Sequence, residues 1–231
     1  MTTPRSAWRH HHELGRVLAV YSDRPGPLTV GVFAALWVVF TGLTFINPGE
    51  TVALMIAPGL AFGATFALVL IALSGERVIV CERGLLIGSV TPGLRPYVIP
   101  YAQIVLGSLV PVSHAERYGR ETATGSAPSS TVRRSWWTRG GIHFVAIDPQ
   151  QARRHRALFA PMQDPPPRSI DGRWVWFAGT GTTPPEQVTA ALARAAGANG
   201  CEELAQATAS ARVRELSGNP ADASAHLPGF P

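Results

Sequence analysis

The 231-residue chain contains no lysine; all 20 of its basic residues are arginine. That absence excludes a Walker A phosphate loop, a Schiff-base lysine, the strand lysine of a protein kinase and a Ser-x-x-Lys nucleophile. Cysteine is nearly absent too. Cys81 and Cys201 are distant in sequence and form no C-x-x-C pair, so neither a zinc ribbon nor a disulfide framework is encoded. Charge is scarce, at 15% of residues against about 25% in a typical soluble domain. The deficit is local: residues 25–75 carry one charge, Glu50, while the other 180 residues carry 34 of the 35. The reading is a membrane-embedded segment joined to a water-exposed one. No signal-peptide layout precedes the first apolar run.

The apolar stretch divides in two. Residues 28–46, LTVGVFAALWVVFTGLTFI, and residues 52–74 are uncharged, and 19 helical residues rise about 28 Å, close to a bilayer core of about 30 Å. Asn47, Pro48, Gly49 and Glu50 form the turn between them. The expectation is a transmembrane helical hairpin. Arg5, Arg9, Arg16 and Arg24 precede it, Arg77, Arg83 and Arg95 follow it, and its turn has no arginine. That bias predicts a multi-pass protein of the inner (plasma) membrane with both termini cytoplasmic. Gly31 and Ala35 in the first run and Gly59, Gly63 and Ala67 in the second recur at four-residue spacing, as helix-packing positions do. Packing within the hairpin is the simpler reading, and homodimerisation is the alternative. Pro58 predicts a kink.

Beyond the hairpin the period changes. RVIVCE (77–82) and LLIGSV (85–90) read as strands about an Arg83-Gly84 turn, followed by PYVIPYAQIV (96–105) and LVPVS (109–113) with edge-type prolines. Residues 115–130 read as a polar loop, 132–148 as a hairpin, and RWVWFA (173–178) as a late strand, with an insertion at 149–171. Val188, Ala191, Leu192 and Ala195, after Thr183, Pro184 and Pro185, predict an amphipathic helix with a Thr cap. Residues 202–216 suggest another helix, and 217–231 a disordered tail. Residues 14–21 fit either an interfacial helix or a strand added to the domain.

RVIVCERGLLIG (77–88), PYVIPYAQI (96–104) and DGRWVWFAGTGTTPPEQVTAALARA (171–195) together resemble an actinobacterial type of small protein, a two-helix membrane hairpin followed by a bacterial pleckstrin-homology-like domain. The resemblance implies a seven-stranded antiparallel barrel or sandwich, of α+β class, capped by a C-terminal helix. It implies no enzymatic activity and no cofactor. The expected layout is a juxtamembrane segment at 1–27, the hairpin at 28–74, the domain at 76–197 and a C-terminal helix and tail at 198–231.

Few residues offer chemistry. The adjacent His10, His11 and His12 cannot converge on one metal ion. Gly179-Thr180-Gly181 lacks the third glycine of a dinucleotide loop. Asp148, His143 and His155 with Ser108 or Ser113 lack any supporting motif. Trp174 and Trp176, two apart on a strand, share a face and read as core. Arginines beside apolar anchors are the better signal: Arg153, Arg154 and Arg156 with Phe159, and Arg133 and Arg134 with Trp136 and Trp137. Such groups suit an anionic headgroup surface. The net charge of +5 points to lipids rather than nucleic acid. The expected function is therefore non-enzymatic, binding membrane lipids or a membrane or cytoplasmic protein. The alternative is an accessory subunit of a transport or envelope-assembly complex acting through the hairpin.

Overall fold

The computed structural model describes residues 10–43, 52–74, 76–89, 96–123, 131–135, 137–152, 169–170 and 172–230. The chain opens with a single turn α1 (His11–Leu14) and strand β1 (Val17–Ser22), then two long helices, α2 (Pro27–Leu43) and α3 (Val52–Ser74). Strands β2 (Glu76–Cys81), β3 (Gly84–Ser89) and β4 (Tyr97–Pro100) follow. Next come β5 (Val110–Ser113), a short α4 (Tyr118–Glu121), β6 (Val132–Arg133) and β7 (Gly140–Ala146). After α5 (Pro149–Ala152) and β8 (Ser169–Ile170) comes the longest strand, β9 (Arg173–Gly181). The chain ends with α6 (Pro185–Ala198), α7 (Glu202–Ser210), β10 (Arg214–Glu215) and α8 (Pro220–His226).

Two sheets form, ordered β1-β2-β3-β4 and β10-β5-β7-β9-β6, with β8 paired to β9. The β-branched run of β2 pairs with β3 from Glu76 opposite Ser89 to Val80 opposite Leu85. Alternation along these strands sends Val78, Val80, Leu85 and Ile87 into the main core and Ile79, Cys81 and Leu86 into a smaller cluster with Leu14. The main core is completed by Phe144 and Trp176 of the second sheet and by Val188, Leu192 and Ala195 of α6. Trp176 is fully buried, its ring edge-on to Tyr97 at 5.1 Å, and its indole donates to the Ile147 carbonyl at 2.8 Å.

Several expectations are corrected. Among the described residues no helix is long and apolar enough to cross a membrane. In α3, Pro58 lies inside the helix and removes one helical hydrogen bond. This overturns the transmembrane hairpin and, with it, the multi-pass inner-membrane placement with cytoplasmic termini. The body is an α+β fold of two sheets, not a single pleckstrin-homology-like barrel. It holds two parallel pairings, β6 with β9 and β10 with β5. Residues 132–148 do not form a hairpin, because β6 pairs with β9 instead.

The segment before α2 is part of the fold, since β1 pairs antiparallel with β2 from Val17 to Ser22. The strand reading of residues 14–21 therefore stands over the interfacial helix. Residues 115–123, expected as loop, form a 3-10 turn and α4, with Tyr118 and Glu121 buried. The tail expected to be disordered, 217–231, carries α8 with Leu227 buried, and the helix expected over 202–216 stops at Ser210, with β10 and the buried Leu216 beyond it. Thr183 does not cap α6; its carbonyl instead accepts from the Thr180 hydroxyl at 3.0 Å.

Candidate interaction surfaces

The two helices pack on each other through Gly59 and Gly63, two of the three small residues singled out in the second run. A Cβ at Gly59 would stand 2.8 Å from the Thr41 methyl, and one at Gly63 2.7 Å from the Trp37 indole nitrogen. That close approach lets Trp37 Nε1 donate to the Gly59 carbonyl at 2.8 Å. Phe33 meets Phe66 edge-on at 5.5 Å, and Phe40 stacks on Phe62 at 5.3 Å. Gly59 and Gly63 are thus used inside the hairpin. Gly31, Ala35 and Ala67 point outward, with open space at the Gly31 Cβ position.

The rest of the hairpin is an apolar surface. Leu28 is 82% exposed, Leu68 67% and Leu60 64%, with Val38, Val39 and Ile71 also exposed. Isolated exposed hydrophobics are ordinary, but this many on two adjacent helices is not.

The expected headgroup arginines divide. Arg153, Arg154, Arg156 and Phe159 lie outside the described residues, as does Trp136. Arg133 forms a two-pronged ion pair with Glu76, its Nε donating to Glu76 Oε2 at 3.1 Å and its Nη2 to Oε1. Arg134 is 6% exposed and donates to the Glu116 carbonyl at 3.2 Å, and burial lowers its pKa. Both side chains tie elements of the body together.

The polar groups with nominal catalytic potential are occupied separately. Ser108 Oγ donates to the Val105 carbonyl at 2.7 Å and accepts from the Val145 amide at 3.0 Å. Ser113 donates to the Arg214 carbonyl, and Asp148 accepts from the Gln150 amide. His143 is fully buried on β7. Its Nε2 lies 2.7 Å from the Pro228 carbonyl, which can only accept, so this nitrogen carries the proton. Its Nδ1 then accepts from the Tyr118 hydroxyl at 2.9 Å. Burial pushes the imidazole pKa down from 6.5 to about 4, and the Pro228 contact only partly opposes it. Burial pushes the Cys81 thiol up to about 12, with Glu82 adding to it, so no reactive thiolate forms there near neutral pH. Among the described residues no group of three or more His, Cys, Asp or Glu is placed to hold a metal.

Two features carry no sequence signal of their own. Asp23, between β1 and α2, is buried, and Thr138 donates to its Oδ2. Burial lifts its pKa from 3.8 to about 6, partly offset by Thr138 and reinforced by the Glu76 carboxylate. Gly181 explains the nearby Gly-Thr-Gly run: its φ of +66° and a Cβ position 2.7 Å from the Ser22 carbonyl leave room only for glycine. The second feature is an open cleft of about 480 Å³ lined by Ile104, Leu106, Ser108, Val145, Arg173 and Pro228. Its one charge, Arg173, reaches the Gln103 carbonyl at 3.4 Å.

No protein-family model matches the chain, and no curated protein or solved structure matches it.

Proposed function

We propose that this chain is a non-catalytic binding protein, that its contact surface is the outward face of the α2–α3 hairpin, and that a second copy occupies that surface. The observation that carries this reading is the concentration of exposed large apolar side chains, Leu28, Leu60 and Leu68 foremost, on two helices that contain no charged residue. Leaving such area in water costs about 25 cal/mol per Å². A charged partner surface would lose its hydration there without gaining an ion pair, so the matching surface is itself apolar. A second copy supplies one, and a two-fold arrangement covers both at once. The outward Gly31 and Ala35 support this reading, because small residues let helices approach closely. The engagement of His143, Ser108, Ser113 and Asp148 in separate structural bonds supports the absence of catalysis. An anionic lipid surface is the weaker partner, since Arg133 and Arg134 are used inside the body.

Disulfide trapping tests the reading. In a chain with Cys201→Ser, Ala35→Cys should give a covalent dimer under mild oxidation, whereas Leu106→Cys, on an exposed loop of the body, should give little. Equal trapping at both positions, or none at Ala35→Cys, overturns it.

A further inference from the structure

The buried side chains form two main bodies of unequal dependence on the C-terminus. The main core is built from the two sheets, α6 and the start of α7, and among the described residues nothing beyond Ala205 enters it. A second cluster, with Val112, Tyr118 and Phe177 among its members from the body, is closed by Leu216, Leu227 and Phe230 of the C-terminal segment. That segment is reached through residues 211–213, which belong to no helix or strand and include the exposed Arg212.

The contacts holding it are largely to its main chain. Arg117 Nη1 donates to the Leu216 carbonyl at 3.1 Å, the Gly218 amide donates to Glu121 Oε2 at 2.8 Å, and His143 Nε2 donates to the Pro228 carbonyl at 2.7 Å. The β10 strand lies parallel along β5, Arg214 opposite Val112 and Glu215 opposite Ser113. Glu121 is a buried carboxylate whose hydrogen bonds run to Gly218 and Ser217 of the segment. A sheet edge, side chains aimed at peptide main-chain atoms and spaced apolar pockets are the parts of a groove that receives an added peptide strand.

We propose that this groove is a peptide-binding site and that segment 214–230 of a second copy takes it in exchange for the chain's own. An identical segment makes identical bonds, so exchange changes only the path of residues 211–213, which is the condition for swapping between copies. The proposal involves no residue of the hairpin and stands apart from the reading given above.

The test uses the full chain with a protease site introduced at 211–213 and cut after folding, then mixed with a fluorescent peptide of residues 214–231. The peptide should enter the cut protein saturably, be displaced by its unlabelled form, and bind the uncut chain about tenfold more weakly, a difference of about 1.4 kcal/mol. Arg117→Ala, a partly exposed change that leaves the apolar pockets intact, should weaken the peptide severalfold, and so should Phe230→Ala within the peptide. Failure of the cut protein to take up peptide while it stays folded overturns the proposal. So does its unfolding when the segment leaves, or equal uptake by the uncut chain.

Discussion

His143 and Asp23 are buried titratable groups whose effects on stability run in opposite directions with pH. The folded chain holds His143 near 4 against 6.5 in the open chain. The neutral ring that donates to Pro228 therefore contributes fully above about pH 6.5, and its contribution is lost as pH falls toward 4. That lowering corresponds to about 3 kcal/mol. His143→Gln keeps a donor for Pro228 without a titrating ring, so its urea midpoint should vary less than the parent's between pH 7 and pH 4.5. An unchanged pH dependence would remove His143 from this role. Asp23 behaves in the opposite sense, because its folded value is raised to about 6 from 3.8. Its contribution is complete below 3.8 and lost as pH rises through 6, where burial of the carboxylate becomes a penalty. Asp23→Asn should raise stability at pH 7 by about 1–2 kcal/mol and change little at pH 4, as read by chemical denaturation.

At the scale of elements, the hairpin depends on close approach of its helices. Gly63→Leu places a side chain where Trp37 Nε1 stands and should cost about 1–3 kcal/mol, as overpacking does. The local readout is the Trp37 indole proton, which donates to Gly59 and should exchange with deuterium faster in the variant; unchanged exchange would contradict the packing. The elements legible in the sequence were those with a sustained period. The RVIVCE and LLIGSV runs became β2 and β3 within a residue of their expected bounds, and the 188, 191, 192, 195 spacing became the buried face of α6. A short apolar run such as VLAVY carries no such signal, and the free edge of β2 is what made it a strand. The two-residue β6 has no period at all, and its place was set by β9, whose Phe177 amide also reaches the Thr131 carbonyl at 2.8 Å.

For the whole molecule, charge patterning located the two apolar helices, but the same charge deficit read as a bilayer span, and among the described residues no helix is long and apolar enough to cross a membrane. The tail, rich in Gly, Pro, Ala and Ser, read as disorder because its order comes from partners about a hundred residues away, such as Glu121 for Gly218. His143 was visible as a residue but not as a clasp, since its role depends on a carbonyl 85 residues downstream. The central claim is that the apolar hairpin is covered by a second copy of the chain. Sedimentation equilibrium of the full chain across a dilution series, with and without neutral lipid vesicles, tests it most directly. The account predicts a single species of about twice 24.6 kDa that stays out of the vesicle fraction. A monomer, an open-ended series of larger assemblies, or transfer of the protein to the vesicles would contradict it.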